Sequence, residues 1–248
     1  MYKLGRLAGR KARKAQWVWN SLTGDEPAAI EAERGVGRDM AAVVRERSGA
    51  TPDDDLGAQL DDTRARLAGV VRNTLHRFEV GLVADEAPTA YALPGGFIFL
   101  TRSLTELCDR DRDELAFVIA HEMAHVIRRH AITRVLRQTA YSAASVLTPG
   151  RGAIAPWLRK VGLDWLERAY SREQEFEADA LGVLLVRAAG YDPDGASRLL
   201  DRIGRLDGAT ADGVASTLGA YLSTHPPVED RIRRIRERLN PPSPRGRS

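Results

Sequence analysis

The sequence predicts an α+β fold that is mostly helical, and three observations carry the prediction. Apolar residues recur with helical spacing along most of the chain. Only two short stretches, near Phe78 and Phe97, have strand character. At 248 residues and 43% hydrophobic, the chain is long enough for one sizeable core. One packed domain is therefore expected over residues 32–240, after a basic amphipathic segment at 1–31 and before a Pro- and Ser-rich tail at 241–248 that cannot form a packed element.

Taken in order, Ala32 to Arg47 and Gln59 to Arg77 read as helices, and Phe78 to Ala84 as a strand. The Pro94-Gly95-Gly96 turn launches a second strand, Phe97-Ile98-Phe99-Leu100. Asp111 opens the next helix, with Glu114 completing a capping box, and Leu115 to Ile127 is apolar wherever it is not part of the motif described below. A loop is expected at Thr148-Pro149-Gly150-Arg151-Gly152 and a helix from Pro156 to Arg168. Ser171 and Gln174 form a second capping box, on a helix that stops at Gly190. Pro193 to Leu206 and Val228 to Leu239 supply the last two helices.

The chemistry sits in the Asp111 helix, as His121-Glu122-Met123-Ala124-His125. Histidines four apart share a helical face, about one turn of ~5.4 Å apart, so both imidazoles can reach one metal ion while the glutamate between them acts on a water there. Two imidazoles and a carboxylate inside an apolar helix are costly to bury, and metal coordination compensates them.

A catalytic zinc needs a third protein ligand. An HExxHxxGxxH site is excluded, because Arg128 stands where its glycine would be and Ala131 where its third histidine would be. His130, five residues past His125, falls roughly 140° round a continuous helix and is expected to point elsewhere. On the Ser171 helix, Glu175 and Asp179 share a face, so Glu175 can coordinate while Asp179 accepts a hydrogen bond from the outer nitrogen of a ligand histidine. Glu173 and Glu177 lie off that face and are expected to be solvated.

HExxH followed by ExxxD on a later helix marks the gluzincin class. Four further segments resemble one family within it, the zinc metallopeptidases that include the heat-shock membrane protease HtpX, the CAAX prenyl proteases and the periplasmic protease-chaperone BepA. They are Ala92-Leu93-Pro94-Gly95-Gly96-Phe97-Ile98-Phe99, the Ser171-Arg172 lead-in to Glu175, Ala189-Gly190-Tyr191-Asp192-Pro193, and Ser223-Thr224-His225-Pro226. The resemblance runs from roughly Ala32 to Leu239, with one departure. Where the family commonly has Asn-Ala-Phe this chain has Thr89-Ala90-Tyr91, so an asparagine contact near the cleft is replaced by a hydroxyl or lost.

The resemblance implies a gluzincin-like domain with a small sheet beside the active-site helix. It implies one Zn2+ per chain bound by His121, His125 and Glu175, Glu122 as general base, and Asp179 orienting a ligand histidine. It also brings in His225, which would either stabilise the oxyanion or occlude the open metal position. The function implied is a zinc-dependent metalloendopeptidase acting on extended or unfolded polypeptides in protein quality control. The alternative is a latent or chaperone-like binding protein with an occluded zinc site. A polypeptide substrate would lie along Gly96, Phe97, Ile98 and Phe99, read as an edge strand beside the metal that accepts a peptide by strand addition.

Cys108 is the only cysteine, so no internal disulfide can form. No apolar run reaches the length of a membrane span, and the basic N-terminus lacks an apolar signal core, so cytoplasmic residence is the default expectation. Residues 1–20 carry Lys3, Arg6, Arg10, Lys11, Arg13 and Lys14 and no acid, leaving −3 on the remainder of a chain whose total is +3. The basic balance thus belongs to residues 1–20, and no nucleic-acid partner is expected.

On a helical wheel of residues 1–20, Leu4, Ala8, Ala12, Ala15, Val18 and Trp19 gather on one side and Lys3, Arg6, Arg10, Arg13 and Lys14 on the other, which suits peripheral contact with an anionic membrane. Each basic residue near such a surface is worth about 1 kcal/mol, enough for reversible attachment at low salt. The full chain is expected to co-sediment with anionic vesicles in a salt-sensitive way, and a chain starting at Ser21 to stay in the supernatant. Equal partitioning of both would refute the attachment.

Overall fold

Thirteen consecutive buried residues, Glu114 to Val126, make the histidine-bearing helix the centre of the fold. The computed structural model describes residues 26–48, 54–84, 86–134, 170–208 and 228–239. Its elements run α1 (Glu26–Ser48), α2 (Asp54–Gly69), β1 (Glu79–Val83), β2 (Ala90–Leu93), a 3-10 turn at Pro94–Gly96, β3 (Phe97–Thr101), α3 (Arg102–Leu107), α4 (Arg112–Ile127), α5 (Arg172–Ala188), α6 (Gly195–Gly208) and α7 (Val228–Leu239). Helix α4 packs against α2, α5, α6 and the sheet, while α7 packs on α5 and α6. The expected mostly helical α+β architecture is what forms.

The sheet has the order β1-β3-β2. β1 runs parallel to β3 from Glu79↔Phe97 to Val83↔Thr101, and β2 runs antiparallel to it from Ala90↔Leu100 to Leu93↔Phe97. Alternation along the strands gives each face its own core. Ala90, Ala92, Ile98 and Leu100 join the cluster built on α4, whereas Tyr91, Leu93, Phe97 and Phe99 pack with Val36, Met40, Val43 and Val44 of α1.

This topology corrects the expected substrate strand. Phe97, Ile98 and Phe99 lie in the middle strand, paired on both sides, and Gly96 lies in the turn before it, so none of them offers a free edge. The edge next to α4 is β2, which at four residues, squeezed between Pro88 and Pro94, is too short for alternation to reveal it in the sequence. Gly96 is needed for a different reason. Its φ is +94°, and a Cβ there would sit 2.0 Å from the Arg77 carbonyl oxygen.

Helix boundaries differ from expectation where packing or capping decides them. α1 begins at Glu26 rather than Ala32, because Ala29 and Ile30 are buried. α2 ends at Gly69 rather than Arg77, the chain closing in turns with Val70 N–H donating to Leu67 O and Val71 N–H to Ala68 O. Asp111 caps α4 by accepting from Asp113 N–H and Glu114 N–H, each at 2.9 Å. Glu114 does not complete the expected box; it is buried and pairs with Arg202 of α6 at 3.2 Å. The Ser171–Gln174 box on α5 does form, and Gly190 takes a φ of +80° just past that helix.

Residues 1–20, the loop at 148–152, the helix expected at 156–168, His225 and the tail at 241–248 lie outside the described residues. No described helix is long and apolar enough to cross a membrane.

Candidate metal centre

Helix α4 sets His121 and His125 one turn apart on the side that meets α5, and α5 brings Glu175 up to them from its capped first turn. Gly182 permits the close approach, since a Cβ there would lie 3.2 Å from the His121 backbone nitrogen. The side chains form a triangle. His121 Nε2 and His125 Nε2 are 3.1 Å apart, Glu175 Oε2 is 3.4 Å from the first, and Oε1 is 3.3 Å from the second. All three residues are buried, and one donor atom from each fits within 4.8 Å of the others.

Asp179, one turn past Glu175, places Oδ1 3.0 Å from His121 Nδ1. Arg231 of α7, itself buried, holds Asp179 in bidentate fashion, Nε donating to Oδ2 at 2.8 Å and Nη2 to Oδ1 at 2.7 Å. Burial works against the Asp179 carboxylate, but Arg231 and His121 outweigh it and hold its pKa well below the usual range. Burial also opposes charge on His121, yet the carboxylates of Asp179 and Glu175 raise its pKa to about 9. His125 lacks the second carboxylate, and burial pushes it down to about 3 despite Glu175.

Glu122 points at the sheet. Burial drives its pKa up; the charge of His121 opposes this, Glu175 adds to it, and Arg134 and a hydrogen bond from the Ala92 backbone N–H oppose it. Its Oε2 is buried and has no hydrogen-bond partner among the described residues. Arg134 Nη2 donates to the Ala92 carbonyl at 3.3 Å and its guanidinium lies 4.3 Å over the Tyr170 ring. Tyr170 in turn stacks on His125, with ring centroids 3.8 Å apart and planes 15° from parallel.

His130 does not point away as the helical wheel predicts. Its Nδ1 lies 3.1 Å from His125 Nδ1, because α4 stops at Ile127 and Arg129 adopts a φ of +59°, which folds the next residue back. Glu173 is exposed; Glu177 is largely exposed too, but its Oε2 reaches within 3.5 Å of His130 Nε2. Thr89 turns its hydroxyl onto the neighbouring Ala90 carbonyl at 3.5 Å.

Arg231, Tyr170, Arg134 and His130 escape the sequence reading. Only Arg231 leaves a trace there: it occupies the apolar stripe Val228, Ile232 and Ile235, where an arginine needs a buried partner.

The sequence profile of peptidase family M48 matches residues 56–239, most of the chain and all of this constellation. The chain belongs to peptidase family M48. A 168-residue stretch is 34% identical to the mitochondrial metalloendopeptidase OMA1 of Schizosaccharomyces pombe, covering 66% of this chain and 47% of that protein. OMA1 of Arabidopsis thaliana is 32% identical over 60% of this chain and 29% of its own length. The beta-barrel assembly-enhancing protease of Escherichia coli K12 is 27% identical over 79% of this chain and 42% of its own. The chain thus spans less than half the length of each of these relatives.

Membership of a metallopeptidase family implies a metal cofactor, and the residues present fit one. Two imidazole nitrogens and a carboxylate converge in a buried site, a donor set that suits a cation, and Glu122 Oε2 beside them has no hydrogen-bond partner among the described residues.

The charged state of metal-free His121 has a consequence. Below about pH 9 its ring carries a proton that a metal ion must displace, so affinity rises with pH and levels off once His121 is neutral. Near neutral pH, titrating Zn2+ into the metal-free protein should release about one proton per ion from this group, read by calorimetry in buffers of different ionisation enthalpy. Uptake with no proton release would show that His121 is neutral before the metal arrives.

Proposed function

We propose that the chain is a zinc-dependent metalloendopeptidase that hydrolyses peptide bonds in extended or unfolded polypeptides, acting in protein quality control. The observation that carries the reading is Glu122, a buried carboxylate with raised proton affinity and an oxygen that has no hydrogen-bond partner among the described residues, next to three side chains that could hold a metal ion. A purely structural metal site, or a binding protein with an occluded one, has no use for such a group. The relatives support the class of activity, two being named metalloendopeptidases and one a protease that enhances beta-barrel assembly.

Zinc is favoured by the donor chemistry, two neutral imidazoles and one carboxylate being the ligand set of many catalytic zinc sites with an open fourth position. When bound there, zinc supplies Lewis acidity, polarising the scissile carbonyl and making water deprotonable near neutral pH. The side chains do the rest. His121, His125 and Glu175 hold the ion, and Asp179 fixes the ring of His121 through Nδ1. Glu122 accepts the proton of the attacking water and passes it to the leaving amine, a role for which its raised proton affinity suits it.

The substrate backbone runs along β2. Both polar groups of Ala92 point off the sheet edge, toward Glu122 and Arg134, which supports pairing of an extended peptide at Ala90, two residues away on the same edge, where the Thr89 hydroxyl makes only a 3.5 Å contact to the Ala90 carbonyl. That geometry selects unfolded or extended chains by their backbone. His225 keeps its two candidate roles, oxyanion partner or occluding ligand.

The test is cleavage of casein by the wild type and by Glu122→Gln, with and without a chelator. The variant is expected to bind zinc normally and to lose about 100- to 10,000-fold in turnover, and chelation to abolish wild-type cleavage. Undiminished cleavage by Glu122→Gln would remove Glu122 as the base, and a zinc-loaded wild type that cleaves nothing would leave the occluded binding protein as the better reading.

A further inference from the structure

The two ligand histidines are held by different partners. His121 faces a carboxylate through its outer nitrogen, whereas the outer nitrogen of His125 faces another imidazole, His130 Nδ1, at 3.1 Å. His130 is buried, its ring lies 5.2 Å from that of His125 at an interplanar angle of 64°, and its far nitrogen Nε2 is 3.5 Å from Glu177 Oε2. His125 Nε2 is the atom that faces His121 and Glu175, so it is the metal-binding nitrogen and the ring proton belongs on Nδ1. His130 Nδ1 must then accept, which puts its own proton on Nε2, toward the carboxylate of Glu177.

We propose that His130 is a positioning residue for His125, fixing its tautomer and ring orientation through an Nδ1–H···Nδ1 hydrogen bond, with Glu177 fixing His130 in turn. The proposal rests on the zinc reading above and adds to it a named support for the second histidine ligand.

The backbone is arranged for this contact. Position 130 can meet position 125 only because Arg129 breaks the helix with a positive φ, which a non-glycine residue seldom adopts. That turn is pinned from outside. The Arg129 guanidinium pairs with the buried carboxylate of Glu33 on α1, Nε donating to Oε1 at 2.9 Å, and Thr133 Oγ1 donates to the Arg129 carbonyl at 2.8 Å. Position 130 is otherwise the first residue of a new helical turn at 130–134, where an alternative side chain would serve the backbone equally well. A ring present only to fill space has no reason to offer its nitrogen to a ligand histidine and its other nitrogen to a carboxylate.

The wild-type protein gives the first readout. In the zinc-loaded, 15N-labelled chain, a through-hydrogen-bond coupling should link His125 Nδ1 to His130 Nδ1, with His125 as donor. Zinc affinity, measured by competition with a chromophoric chelator, gives the second. His130→Phe keeps a ring but no acceptor and should weaken zinc by about 10- to 100-fold. His130→Asn, whose amide oxygen can take the place of Nδ1, should recover most of that loss. The proposal is overturned if the coupling is absent, if His130→Phe binds zinc as tightly as the wild type, or if His130→Asn is as weak as His130→Phe. A wild type that binds no zinc would overturn the metalloendopeptidase reading itself, a different result from a zinc-binding wild type in which His130 makes no difference.

Discussion

The ion pair between Arg231 and Asp179 is the constraint on which the site depends, because it fixes the last helix, the glutamate-bearing helix and the first histidine relative to one another. Both partners are buried, and removing two charges from water costs several kcal/mol per ion before any attraction is counted. Their bidentate geometry recovers much of that cost, and the remaining lone-pair capacity of Asp179 goes to His121. A pair of this kind is weak evidence for stability. It is a strong determinant of geometry, since the contacts that satisfy both charges join α7 to α5 and α5 to α4.

The second half of the centre is built around the sheet and the break after α4. Ala92 donates its N–H to Glu122 and accepts from Arg134 through its carbonyl, so the edge strand both positions the proposed base and marks the line along which a peptide would run. Arg134 also covers Tyr170, which stacks on His125. His125 is therefore bounded on one face by an aromatic ring and at its outer nitrogen by His130, while His121 is bounded by a carboxylate. The asymmetry shows in their proton affinities, raised for His121 and depressed for His125.

What was legible in the sequence is what local periodicity encodes. Spacing of four along a helix put His121 with His125, and Glu175 with Asp179, on shared faces, and the Ser171–Gln174 box located the start of α5. Residues that act across the fold were not legible. Arg231 meets Asp179 from 52 positions away, and Arg134 meets Ala92 from 42. β2 was hidden by its length and its flanking prolines, so the outer strand beside α4 is Ala90–Leu93 and not Phe97–Phe99. His130 was misplaced by a regular wheel, because a single positive φ at Arg129 voids the ~100° step on which the wheel relies.

The proposed zinc site is held ready by the chain from Arg231 through Asp179 to His121, and the variant Arg231→Lys probes that chain. Arg231→Lys retains the buried positive charge and removes the two-point grip. The variant should fold, judged by an unchanged far-ultraviolet circular dichroism spectrum, and its zinc affinity should fall by about 10-fold or more as His121 loses its fixed partner. Native zinc affinity in a folded Arg231→Lys protein would contradict that dependence.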